Sequence, residues 1–201
     1  MNLVARLATV MLLSSALTID TSAKSPDPGL GGDDVGLATV LDDAAVRRLM
    51  RQQAETGDTK AMVDYAEWLR TASSTDYPEG LRNQAEAERY DRLAAERGDP
   101  LGQINAGVWC MINPLRQTPP GACKSDVEAV RWFHLAMDQG NADGMAFYGY
   151  MVEFGRGGLA KDPALAARYY TDAGKRGSAS GRAFLNDMVE FADRSPREPK
   201  P

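Results

Sequence analysis

His134 is the only histidine in the chain, and Cys110 and Cys123 are its only cysteines. Acid–base or metal chemistry needs such groups in company, and one imidazole with two thiols cannot by themselves fill the usual zinc set, although carboxylates could join them. Two acids near His134, Asp126 and Glu128, fall where a helix should begin, and they read as charges favoured by its dipole. A G-x-S-x-G nucleophile turn and a G-x-x-x-x-G-K-[ST] phosphate cradle are both missing. The nearest approach to S-x-x-K is Thr21-x-x-Lys24. No catalytic residue, no metal site and no cofactor are therefore expected. The charged groups that do stand out are Arg48, Arg89, Arg131 and Arg168, which recur at one place in a repeated segment. They would suit an acidic partner as a ladder. The expected role is architectural, in inter-helix salt bridges or in packing of the arginine stems, because the residue returns in every unit.

The first residues read as an address. Met1–Arg6 is basic, residues 7–19 are mostly apolar, and Thr21-Ser22-Ala23 offers small residues for cleavage. This is the order of a secretory signal, and the apolar run is too short for a comfortable membrane span of about 20 residues. Residues 1–23 are expected to be a cleaved signal peptide, 24–42 a Pro- and Gly-rich linker, and 194–201 a disordered tail. The protein is then periplasmic or secreted. In an oxidising compartment Cys110 and Cys123 can bridge, closing a short loop worth about 3 kcal/mol, the other arrangement being two buried, unlinked thiols. Their spacing is not that of a redox-active C-x-x-C pair.

The 201 residues, 43% hydrophobic and 25% charged, suffice for a sizeable core, and the net charge of −5 argues against a nucleic-acid binder. What organises them is repetition. Ala87–Gly98, Ala129–Gly140 and Ala166–Gly177 align without gaps: alanine first, arginine two on, an aromatic (Tyr90, Trp132, Tyr169) three on, alanine seven on, glycine eleven on. A degenerate copy, with Val46, Arg48, Leu49 and Gly57, precedes them. The period is roughly 40 residues, the range of helical-repeat arrays.

A second pattern follows each glycine. Ala61, Gly102, Gly144 and Gly181 lie four residues past it; Tyr65, Ala106, Tyr148 and Leu185 eight past it. Trp68, Trp109, Met151 and Met188 come at eleven, and Leu69, Cys110, Val152 and Val189 at twelve. These offsets share one face of a helix. Helices are expected at 43–56, 58–71, 83–97, 99–112, 125–139, 141–154, 163–176 and 178–193. Gly98, Gly140 and Gly177 suit the left-handed position that ends a helix, and Asp99, Asn141 and Ser178 the cap of the next. One such pair of helices cannot bury its apolar face alone, so the fold class is all-α: an α-solenoid of three to four stacked helix-turn-helix units spanning 43–193, with units at about 57–97, 98–139 and 140–176 and a terminal helix at 178–193.

The third unit carries a resemblance: Tyr148-Gly149, then Gly155-Arg-Gly157-Gly-Leu159-Ala-Lys-Asp162, then Ala166 to Gly177. It resembles the Sel1-like repeat, a relative of the tetratricopeptide repeat, in weaker form over Gly57–Met188. Leu165 departs from the usual lysine, Gly158 is an extra loop residue, and Thr71–Arg82 and Met111–Ala122 are long loops. The resemblance implies an adaptor that binds another protein. It also implies that a Cys110–Cys123 bridge would staple paired helices, as in cysteine-rich exported members.

The inner face of a solenoid is lined by the first helix of each unit. Its non-repeating polar and aromatic residues, Asp64, Glu67, Gln103, Asn105, Tyr150 and Glu153, are the candidate binding residues, with the loop 113–122 as a second option. The expected function is that of an exported, non-catalytic adaptor regulating an envelope signalling or assembly protein. A monomer is expected, binding no nucleic acid and meeting the membrane only through a membrane-protein partner. The alternatives are a cell-wall-related enzyme or ligand-binder of penicillin-binding or β-lactamase type, which has no motif to rest on here, and a secreted virulence factor binding host proteins.

Overall fold

The computed structural model describes residues 43–71, 77–112 and 125–194. Eight helices run through them: α1 (Asp43–Glu55), α2 (Thr59–Thr71), α3 (Tyr77–Glu96), α4 (Pro100–Ile112), α5 (Asp126–Asp138), α6 (Ala142–Phe154), α7 (Pro163–Lys175) and α8 (Ala179–Arg194). Among the described residues there is no strand, and the fold is the expected α-solenoid. The signal, the linker, the tail from residue 195 and Cys123 lie outside the described residues.

One junction shows how the sequence makes each turn. Gly140 has φ +79°, and its N–H donates to the Met137 carbonyl at 2.8 Å while Asn141 N–H donates to the Ala136 carbonyl at 3.1 Å. This pair of bonds satisfies carbonyls that a helix end would otherwise leave bare. The Asn141 side chain then accepts from Asp143 N and Gly144 N at 2.9 and 3.0 Å, starting α6. A single residue thus closes one helix with its backbone and opens the next with its side chain. The same backbone bonds recur around Gly98 and Gly177; Asp99 caps its helix with two acceptances, from Leu101 N and Gly102 N, and Ser178 with one, from Gly181 N.

The small residue four places past the glycine lets the two helices touch. A Cβ added to Gly144 would stand 2.7 Å from Ala136 Cβ and 2.9 Å from the Met137 nitrogen. Gly102 meets Ala94, and Gly181 meets Ala173, in the same way at 2.7 and 2.8 Å. The alanine column and the glycine column of the sequence are the two sides of one contact.

Each helix packs on the next in chain order, and α2, α4, α6 and α8 also touch one another from unit to unit, α6 and α8 most extensively. The helices before the glycines make no comparable contacts among themselves. So α2, α4, α6 and α8 form the inner layer and α1, α3, α5 and α7 the outer. Two apolar cores result. One holds Tyr65, Leu69 and Tyr90, while the other runs from Ala95 to Phe184 through Phe133, Phe147 and Tyr170. Helix α4 serves both, because Trp109 belongs to the first and its neighbours to the second.

Two expectations need correction. Helix α3 starts at Tyr77, not 83. Pro78 falls in its first turn, where a missing N–H costs nothing, so a segment that reads as loop is helical. Val189, expected in the core column, is 58% exposed. Positions five, nine and twelve past the glycine are buried in α2 as Met62, Ala66 and Leu69, under α3. In α8 they are Arg182, Asn186 and Val189, all exposed, because no further helix covers them among the described residues. The stripe has turned polar at two of its three places, as a face left open to solvent allows.

Substituting Gly144→Ala tests the close contact. Alanine is the better helix former by about 1 kcal/mol, but here its methyl meets backbone. We expect a net loss of about 1–2 kcal/mol, read as a lower urea midpoint at unchanged slope. A midpoint at or above that of the parent chain would mean that the contact does not set the helix spacing.

Candidate functional site

The six residues expected to line an open inner face lie on α2, α4 and α6, and most are engaged within the fold. Asp64 is exposed and holds Lys60. The two border a shallow groove of about 350 Å³ between the end of α1 and the start of α2, with Met50, Gln53 and Asp58. Glu67 accepts from Arg70 Nε and Nη2 at 3.1 and 2.6 Å. Gln103 is only 3% exposed, and it accepts from Gln139 Nε2 at 2.8 Å. Asn105 Nδ2 donates to Asp91 Oδ1 at 2.8 Å. Tyr150 is 7% exposed, its ring against Phe154 and Phe184 at 4.9 and 5.6 Å between centroids. Glu153 accepts from the Tyr170 hydroxyl at 2.7 Å. Gln103 and Tyr150 are thus buried residues of the stack. Phe184 of α8 covers Tyr150, a contact between helices two apart in the chain that the periodicity of one helix cannot report.

Asp91, fully buried on α3, is the centre that sequence reasoning missed. It accepts from Arg70 Nη1, from Asn105 Nδ2 and from Trp109 Nε1 at 2.9 Å. Three helices meet on one carboxylate, at the seam between the two cores. Burial pushes the Asp91 carboxyl up from its ordinary range, against the pull of the Arg70 guanidinium and the Trp109 and Asn105 donors. The repeat alignment explains its place. Asp91, Phe133 and Tyr170 are one column of the outer helices; Arg70, Met111 and Glu153 are one column of the inner helices. The first unit fills the paired columns with an ion pair. The second fills them with two apolar, fully buried side chains, Met111 and Phe133, and the third with a hydroxyl on a carboxylate. Burial holds the Tyr170 phenol protonated, so it donates to Glu153.

A second tie fixes the loop between α6 and α7. Arg156 forks onto Asp126 at the start of α5, through Nε at 2.9 Å and Nη2 at 2.7 Å. Asp126 therefore holds a loop, besides sitting at a helix start. His134 is half exposed, 2.9 Å from Asp138 through Nδ1, with its ring edge-on to Tyr148. Among the described residues no group of three or more His, Cys, Asp or Glu could hold a metal ion, and no helix is long and apolar enough to cross a membrane. Cys110 is fully buried in its expected column, and Cys123 is outside the described residues.

The arginine column differs from expectation. Arg48, Arg89, Arg131 and Arg168 are all exposed on the outer helices. None makes an ion pair or hydrogen bond with any described residue. Neighbouring acids are taken: Glu86 by Arg47 and Tyr65, Asp172 by Lys175. The expected inter-helix salt bridges are absent among the described residues. Two of the guanidiniums lie near adjacent rings instead: that of Arg89 is 5.5 Å from the Tyr90 centroid, and that of Arg131 5.5 Å from the Trp132 centroid.

The paired columns allow a direct test. Asp91→Asn leaves Arg70 with the partly exposed Glu67 as its one charged partner among the described residues, and we expect a loss of about 3 kcal/mol in urea unfolding. Arg70→Met with Asp91→Phe copies the second unit and should regain more than half of that loss. A double variant no more stable than Asp91→Asn would show that the columns are not interchangeable.

No family model matches the chain, and no curated protein matches it. Solved structures do. The chain is similar to a Sel1 repeat protein from Oxalobacter formigenes, at 27% identity over 70% of this chain and 96% of that one, with a TM-score of 0.50. It shares its fold with a protective antigen of uropathogenic Escherichia coli strains that displays an SLR fold, at 22% identity over 76% of this chain and a TM-score of 0.57; it spans only 30% of that antigen's length. The repeat columns of the sequence and the architecture of the structure agree: the chain has the fold of the Sel1-like repeat proteins.

Proposed function

We propose that the protein is an exported, non-catalytic adaptor that binds another protein, a signalling or assembly component of the cell envelope. The observation that carries the reading is the stack itself. A Sel1-like solenoid is an extended surface built from repeated units, and such surfaces serve protein interaction. Its side chains of greatest chemical interest, Asp91, Arg70, Glu153 and Tyr170, are spent on holding helices together. The basic, apolar, small order of residues 1–23 supports export, and export supports a bridge between Cys110 and Cys123.

Crosslinking the tagged chain in its native envelope, followed by identification of what it carries, tests the adaptor. One dominant membrane sensor or assembly protein is the expected result. No specific protein, with labelling by a penicillin probe instead, would move the assignment to cell-wall chemistry. Freshly isolated protein should start after Ala23 and weigh two hydrogens less than its reduced form. An intact N-terminus in the cell interior would sink export, and the reduced mass in exported protein would sink the bridge.

A further inference from the structure

We infer that the outer face of the stack is an arginine ladder that docks an acidic protein segment. This deepens the adaptor reading and rests on it. The inner face, where binding is first looked for in a solenoid, has most of its polar groups committed. The outer face has four guanidiniums that are committed to nothing described, Arg48, Arg89, Arg131 and Arg168, one per unit and at one register. Successive outer helices are separated by one inner helix, so the rungs stand at most about 20 Å apart, two helix spacings. Two of them, Arg89 and Arg131, lie within cation–π distance of the next residue's ring and remain exposed. A guanidinium fork matches a carboxylate with two parallel hydrogen bonds.

The surroundings choose among anions. Seven residues beyond the arginines, about 10 Å along each helix, stand Glu55, Glu96, Asp138 and Lys175, all exposed. Three acids beside the ladder, on a chain of net charge −5, oppose a dense polyanion such as duplex nucleic acid, which carries a charge about every 1.7 Å. They also oppose a flat anionic membrane. An extended polypeptide can set its carboxylates sparsely, place them on the arginines, and offer neutral or basic residues to the acids.

The test compares the full exported chain with a variant carrying Arg48→Gln, Arg89→Gln, Arg131→Gln and Arg168→Gln. A control carries Lys60→Gln, Lys161→Gln, Arg176→Gln and Arg182→Gln, the same loss of charge away from the ladder. Helix content and melting midpoint of the ladder variant should match the parent, since the four side chains pair with nothing described. A labelled extended peptide with one glutamate at about every sixth residue, matching the rung spacing, and glycine and serine between should bind the parent and the control, and should bind the ladder variant about tenfold or more weakly, with a smaller dependence on salt. Equal binding by parent and ladder variant overturns the proposal, as does an equal loss in the control. Tighter binding of the parent to polygalacturonate, to phosphatidylglycerol vesicles or to duplex DNA overturns the class of partner. In envelope crosslinking, one partner carried by the parent and lost by the ladder variant supports the ladder. The same partner carried equally by both overturns it and leaves the adaptor reading standing. No partner carried by either sinks the adaptor reading, and the ladder with it.

Discussion

The stack depends on one close approach. Four residues past each turn glycine, Gly102, Gly144 and Gly181 stand where a Cβ would be within 2.7–2.8 Å of an alanine on the preceding helix. That distance leaves no room for a side chain on the glycine opposite the alanine methyl, so it fixes how near the two helices of a turn lie. The aromatic residues further along, Tyr90, Phe133 and Tyr170, can fill the remaining space only because the helices meet there. In a first turn that tolerates Ala61, the same position carries one methyl more. Everything else in the fold is built outward from this contact: the inner layer, the two cores and the register of the outer face.

Within that frame the units are alike in backbone and unlike in what they place at their centres. A carboxylate surrounded by three donors, a thioether beside a phenyl ring, and a phenol on a carboxylate occupy one pair of columns. The energetic logic differs in each. The ionic pair compensates a desolvation cost with several hydrogen bonds, and the apolar pair has no such cost to compensate. The hydroxyl pair sets one hydrogen bond from the phenol to the carboxylate across the interface. The same backbone accepts all three because the columns are fixed by spacing, not by chemistry.

The turns were the most legible part of the sequence. A glycine in the left-handed region and a capping residue after it are local demands, and Gly98-Asp99, Gly140-Asn141 and Gly177-Ser178 state them in two letters. Contacts between helices two apart were not legible. Nothing in the periodicity of α6 says that Phe184 covers Tyr150, or that Gln139 reaches Gln103. Asp91 read as one charge among many, because its three donors come from two other helices. Pro78 hid the first turn of α3, since proline marks both a loop and a helix start. The arginine column was legible as a column, but whether its members were paired depended on acids whose partners only the packing reveals.

The variety at the paired columns bears on how the chain finds its own order. Four nearly identical hairpins in one polypeptide invite mispairing, in which the outer helix of one unit settles on the inner helix of another. Here such an exchange would set Phe133 against Arg70 or Asp91 against Glu153, stranding a charge in an apolar site or facing two carboxylates inside the stack. The centres of the units therefore act as keys, each matching its own lock better than a neighbour's, and they weigh against an exchanged stack.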